Sequence, residues 1–196
     1  MDKIGRKLYH ISGGLVLLAA YLYLGRLPGL ALVFGFLVLA TGIDVIRLKT
    51  PAINAFFFKY FSRFIRECEK NKITGTPWYM LGLFLALLLF STSVAVYAVA
   101  FLACGDVAAT AVGEKWGSIK VYGVKSLQGT IGFFCVSVLV GLIISRCCSF
   151  GIGPAIYLTG AASAAVVELL PISINDNLTV PLVSGAVMQA LVLLTS

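Results

Sequence analysis

The sequence predicts an all-α, polytopic membrane protein with about seven transmembrane helices, one interfacial amphipathic helix and a cytoplasmic N-terminus. Three observations lead there. Of the 196 residues, 60% are apolar and only 12% are charged, against roughly 25% charged in a soluble domain. The mean hydropathy is +1.00, more apolar surface than a globule of this size can hide from water. Seven apolar runs approach the ~20 residues that a bilayer crossing needs. A soluble enzyme, a secreted disulfide scaffold and a disordered chain are thereby excluded.

The runs are Leu8–Leu24, Leu27–Ile46, Trp78–Thr92, Ser93–Val112, Gly129–Ser145, Ile152–Ile172 and Leu178–Thr195. The third is short and only Ser91-Thr92-Ser93 parts it from the fourth, so one long helix there is the rival count. Basic residues decide between the two. With seven spans, thirteen of the fifteen Lys and Arg fall on the side of the N-terminus and only Arg26 and Arg146 on the other. Basic loops stay in the cytoplasm, which puts the N-terminus inside; merging the two spans would spoil the asymmetry. The first run has a basic head, but Ala19-Ala20 is a poor cleavage site, so it reads as a retained helix rather than a signal peptide. The net charge of +7 fits loops facing anionic lipid rather than nucleic acid.

Between the second and third runs, Ile53, Phe56, Phe57, Tyr60, Phe61 and Phe64 recur at helical spacing, with Lys59, Arg63, Arg66 and Lys70 on another face. That is the pattern of an interfacial helix over about 53–70. Its simplest role is an anchor; a lateral gate for a lipid is the sharper one. The five cysteines show no CxxC or Cys/His cluster and read as reduced core residues, with Cys147-Cys148 as a weak palmitoylation candidate.

Acids inside a bilayer are costly, about 2.5–3.5 kcal/mol for a central Asp, so their placement is informative. Asp44, Asp106, Glu114, Glu168, Asp176 and the lone His10 all project to the cytoplasmic side. In the fourth span Asp106, Thr110, Gly113, Glu114 and Gly117 share one helix face. The loop that follows carries Lys120, Lys125-Ser126 and Gly129-Thr130. Glycines admit close backbone approach and lysines neutralise phosphate, and the start of the fifth span offers N–H groups to an anion. Val124 precedes Lys125, so this is not a Walker A loop. The glycine spacing fits helix packing equally well. Asn175-Asp176-Asn177 supplies amide and carboxylate oxygens suited to Mg²⁺, although an Asx turn on Asn177 or Thr179, with Pro181 in the first helical turn, would explain part of it. Acids and basic glycine loops together point to a Mg²⁺-bound polyphosphate, and apolar walls to a second substrate drawn from the bilayer.

Four motifs in order, Arg6-Lys7-x-x-His10-x-x-x-Gly14, Gly105-Asp106-x-x-Ala109-x-x-x-Gly113-x-x-x-Gly117, Lys125-Ser126-x-x-Gly129-Thr130 and Asp176-Asn177-Leu-Thr-Val-Pro181, resemble the CTP-dependent lipid kinases: the dolichol, phytol and farnesol kinases and the yeast-type diacylglycerol kinases. The resemblance runs over about 6–185. It implies a multi-pass enzyme moving the γ-phosphoryl of CTP to the hydroxyl of a polyprenol, phytol-like alcohol or diacylglycerol. It implies a nucleotide site over about 105–130 within a single integral membrane domain, 1–196. Gly105, Thr110, Gly113, Gly117, Lys120, Lys125, Ser126, Gly129, Thr130 and Asn177 are its candidate nucleotide contacts. Asp106, Glu114 and Asp176 are the candidate ligands of Mg²⁺ or another divalent cation. Asp106, Asp176, Lys125 and His10 are the candidate catalytic residues, with Asp176 or His10 as base, though a structural role also suits His10. Glu168 can either act or pair with Arg6 or Lys7. Some members carry paired acids at Asn175-Asp176 and a glycine at Val107. The short chain points to a prokaryotic plasma membrane, with the site facing the cytoplasm. Two other readings are a phosphatidate cytidylyltransferase, whose C-terminal signature is missing here, and a transporter or scaffold, which would set its acids at mid-membrane.

Overall fold

The computed structural model describes residues 3–61, 67–172 and 174–195, and only the backbone for 3–10 and 68. The chain forms two compact units, 1–84 and 85–196.

In the first unit, α1 (Lys3–Leu24) and α2 (Arg26–Lys49) form a helical hairpin. Gly25 makes the turn at φ 85°, a region that strains any residue with a Cβ. The helices meet closely at Gly29, where a Cβ would lie 2.7 Å from the Tyr21 Cα. Pro51 opens α3 (Pro51–Phe61), since proline suits a first helical turn and disfavours helix in the residue before it. Of the interfacial helix expected over 53–70, the described part is α-helical as far as Phe61. Glu67–Glu69 is a 3₁₀ turn, and Arg63, Phe64 and Arg66 lie outside the described residues. Then α4 runs from Gly75 to Leu89.

The end of α2 is fastened by charge. Arg47 is fully buried and Asp44 nearly so. Arg47 Nε donates to Asp44 Oδ1 at 2.7 Å, and its two terminal nitrogens donate to Asn54 Oδ1 and to the backbone carbonyls of Glu69, Lys70 and Lys72. Asp44 Oδ2 accepts from the Thr74 N–H (2.6 Å) and hydroxyl (2.9 Å). One ion pair therefore ties the loop before α4 to α2, at a helix C-terminus where a cation is favoured.

In the second unit, α5 (Thr92–Ala100), a π-helical turn (Phe101–Gly105) and α6 (Asp106–Trp116) make one continuous rod. It is separated from α4 by a break at Phe90-Ser91, so the third and fourth apolar runs are distinct helices. Gln189 satisfies the break by accepting from the Ser91 N–H at 2.8 Å. The rod packs on α7 (Leu127–Cys147), α7 on α8 (Pro154–Leu169), α8 on α9 (Asp176–Thr195), and α9 back on α5, closing a four-membered ring. Every residue from Val94 to Ala100 is buried, as in a helix that is apolar all round. Glycines receive large neighbours: Gly105 faces Phe133, Gly141 faces Tyr157, and Gly160 faces Met188. Such small-to-large contacts let helices approach where no water drives them together.

All seven apolar runs are helical. Among the described residues Arg26–Lys49, Thr92–Trp116, Leu127–Cys147 and Asp176–Thr195 are long and apolar enough to cross a membrane, and Ile11–Leu24, Gly75–Leu89 and Pro154–Leu169 are shorter apolar helices. Large apolar side chains such as Phe34, Val38, Leu139 and Ile143 face outward, which suits lipid as the surrounding medium. The chain is a helical integral membrane protein.

Candidate active site

Four helix ends of the second unit meet: the C-terminal ends of α6 and α8 and the N-terminal ends of α7 and α9. The link from α6 to α7 is a small antiparallel hairpin, β1 (Lys120–Tyr122) and β2 (Lys125–Ser126). Gly123 at φ 53° makes its turn, as two-residue hairpin loops require. Read from sequence, this stretch is only a loop. Ser126 then caps α7, its Oγ accepting from the Gly129 N–H at 3.1 Å.

The hairpin delivers Lys125 inward. Its Nζ donates to the Glu168 backbone carbonyl and to Asp176 Oδ2 at 2.9 Å, with Glu168 Oε1 at 3.7 Å. Glu168 is buried at 8% exposure, whereas Asp176 and Lys125 are half-buried. Two of the expected catalytic residues, 51 positions apart in sequence, are therefore in direct contact. Glu168 joins them as a partner of Lys125, a pairing that the sequence reading did not include. Two helix N-termini, each with a partial positive charge, flank this lysine.

Other expected residues take structural parts. The glycines of α6 and α7 lie face to face. A Cβ on Gly129 would sit 2.8 Å from the Ala109 carbonyl oxygen and 3.4 Å from the Gly113 Cα, and one on Gly117 would sit 2.6 Å from Ser126 Oγ. These close approaches are what helix packing by Gly113, Gly117 and Gly129 requires. Gly129→Ala should cost about 1–3 kcal/mol by overpacking. The check is the thermal midpoint in detergent; an unchanged midpoint would mean the helices part freely. Thr110 Oγ1 bonds the Asp106 carbonyl and Thr130 Oγ1 the Ser126 carbonyl. Lys120 is exposed on β1. The side chains of His10, Arg6 and Lys7 lie outside the described residues.

The Asx turn is present, but on Asn175 rather than Asn177 or Thr179: Asn175 Oδ1 accepts from the Asn177 N–H at 3.0 Å. Pro181 lies buried inside α9, beyond its first turn. It removes the N–H that would bond the Asn177 carbonyl. Asp106 directly follows the π-helical turn, a rare element that recurs at functional sites and has no compositional signature. Gln128 was also missed; it stitches the hairpin by accepting from the Ile119 N–H and donating to Ser118 Oγ. Thr179 Oγ1, three residues after Asp176, is buried without a hydrogen-bond partner among the described residues.

Among the described residues no three His, Cys, Asp or Glu side chains gather tightly enough to hold a metal by themselves. Carboxylates nevertheless fit Mg²⁺, which takes one or two of them together with substrate phosphates rather than an all-protein cage.

A helical membrane protein with a lysine–carboxylate cluster at the end of its bundle is the class that fold and site define. Comparison narrows it. The chain is 31% identical over 176 residues to CTP-dependent diacylglycerol kinase 1 of Schizosaccharomyces pombe, covering 79% of this chain and 76% of that one. It is 30% identical over 202 residues to the chloroplastic farnesol kinase of Arabidopsis thaliana, covering 94% of this chain and 64% of that one. It is 30% identical over 182 residues to an uncharacterized protein of Rickettsia prowazekii, covering 90% and 88%. No family model and no solved structure matches. The chain belongs to the CTP-dependent lipid kinase family.

Proposed function

We propose that the chain transfers the γ-phosphoryl group of CTP to the hydroxyl of a membrane lipid alcohol, either a diacylglycerol or a single-chain alcohol of the polyprenol or phytol kind. The observation that carries this reading is Lys125 held between Glu168 and Asp176. Phosphoryl transfer asks a protein for positioning and charge neutralisation rather than covalent chemistry. Lys125 is the group that meets the nucleotide phosphates, exchanging a carboxylate partner for a phosphate oxygen. Lys120, Ser126, Thr130 and Asn177 border the same nucleotide. The lipid hydroxyl oxygen forms the new bond to phosphorus, the bond to the β-phosphate breaks, and CDP leaves. Asp176, released from Lys125, takes the hydroxyl proton, with His10 as the other candidate base. Asp106 and Glu114 are the carboxylates that would hold Mg²⁺, joined by Asp176 where His10 is the base; the bound ion would spread the charge of the triphosphate. The seven helices span the membrane with the N-terminus and this site in the cytoplasm of a prokaryotic cell.

Purified protein given CTP labelled at the γ- or the α-phosphate tests the reaction. Label from the γ position in a lipid alcohol or diacylglycerol is expected. Label from the α position in phosphatidate would make the protein a cytidylyltransferase instead. In the same assay Asp106→Asn should lower turnover by at least ~10²-fold, the scale of one lost electrostatic contact to a transition state. Its extraction from membranes and thermal midpoint should stay as in the parent. Full activity in this variant would remove Asp106 from the site.

A further inference from the structure

The first unit contains a cavity of about 640 Å³ between α1, α2, α3 and the start of α4. We propose that it holds one apolar chain of the lipid acceptor, an inference that rests on the lipid-kinase reading above.

The lining argues for such an occupant. Its walls are almost wholly apolar, with Phe57 and Phe61 of α3 opposite Ala40 of α2 and Met80 of α4. The two phenylalanine rings stack at 4.9 Å, yet α3 buries none of its residues, so the protein leaves this aromatic wall open to an apolar partner. Among the described residues a single ionised side chain, Asp44, reaches the lining. Both of its oxygens are engaged, by Arg47 on one side and Thr74 on the other. The described lining thus presents no uncompensated charge, and its apolar surface suits a hydrocarbon. Thr76 adds a hydroxyl-bearing residue to the lining, the setting in which a mostly apolar ligand is oriented by a few polar groups. At ~30 Å³ for a water-sized group, the space takes roughly twenty methylene-sized groups, enough for one prenyl or acyl chain.

Gly13 gives the means to test this. It lines the cavity, and a Cβ built on it meets nothing within 4 Å. Gly13→Leu therefore starts its side chain in open space and improves helix propensity. Ala40→Leu is a second filler, from α2. The full chain in lipid nanodiscs is irradiated with a long-chain alcohol carrying a diazirine near its tail, and the labelled peptides are mapped. Labelling is expected on the cavity-lining segments of α1, α2 and α3. A twenty-carbon alcohol should compete with it, and either filler should reduce it by about tenfold, as pocket steric changes do. Preference for twenty-carbon over ten-carbon acceptors in γ-phosphoryl transfer should fall by a similar factor. Labelling elsewhere, or labelling indifferent to competitor and to both fillers, would overturn the proposal even if transfer from CTP is intact. Competed labelling of the cavity with no γ-transfer to any lipid would uphold the cavity and defeat the kinase reading, so the two failures are distinct.

Discussion

Lys125→Ala should reduce kcat/KM for CTP by about 10²- to 10³-fold, the usual loss when one preorganised donor to a developing charge is removed. Its ammonium is the described cation within reach of both Glu168 and Asp176. Removing it does two things. It takes the positive charge away from the nucleotide phosphates, and it leaves Glu168 buried beside Asp176 with less compensation. The second effect costs stability, on the order of 1–3 kcal/mol for a buried polar group that loses its partner. The two are separable. Glu168→Gln added to Lys125→Ala removes the uncompensated charge and should bring the thermal midpoint back toward the parent value while activity stays lost. If the double variant regains turnover, Lys125 only neutralises Glu168 and has no part in handling phosphate.

Arg47→Ala should be the most destabilising single change in the first unit, by about 3–5 kcal/mol, the scale of breaking a buried charge pair from one side. The guanidinium serves five acceptors on three segments: Asp44, Asn54 and the carbonyls of Glu69, Lys70 and Lys72. Its loss strands the Asp44 carboxylate, which among the described residues keeps Thr74 alone. The Phe58 ring, 5.7 Å from the guanidinium carbon, also loses its cation. Arg47→Lys should recover little, because an ammonium has three donors on one atom where the guanidinium offers a planar fork. The measurements are the thermal midpoint in detergent and the rate of proteolysis between α3 and α4. Parent-like values for Arg47→Ala would mean that the loop is held by its backbone alone.

The helices were legible because lipid leaves a spanning chain few options. Backbone groups must bond internally, so an apolar run of sufficient length becomes a helix, and all seven do. Their ends moved by a few residues where local chemistry decides: the Ser126 cap starts α7 at Leu127, two residues before the expected Gly129, and Pro154 starts α8 two residues after the expected Ile152. What escaped was structure made by groups common to every residue. The carbonyls that bind Arg47 belong to Glu69, Lys70 and Lys72, and no side-chain pattern marks a carbonyl. The hairpin escaped because strands of three and two residues are too short to show alternation. Within the site, Lys125 and Asp176 stood out as residue types in a motif. Their contact depended on how α8 and α9 fold back, which spacing along the chain does not encode. The glycines were ambiguous because close approach to a phosphate and to a neighbouring helix demand the same absence of a side chain.

The π-helical turn at Phe101–Gly105 makes the rod from Thr92 to Trp116 a helix that is out of step with itself. An α-helix advances about 100° per residue, so the residue absorbed by the wider turn shifts the phase of everything after it. The face of α6 that bears Asp106 is aimed by that offset, not by the packing of α5 alone. Deleting one residue from the turn, such as Ala103, would restore an uninterrupted α-helix. It would keep every chemical group of the site and leave that face close to its present direction, whereas winding the same residues as α-helix throughout would swing it by about 100°.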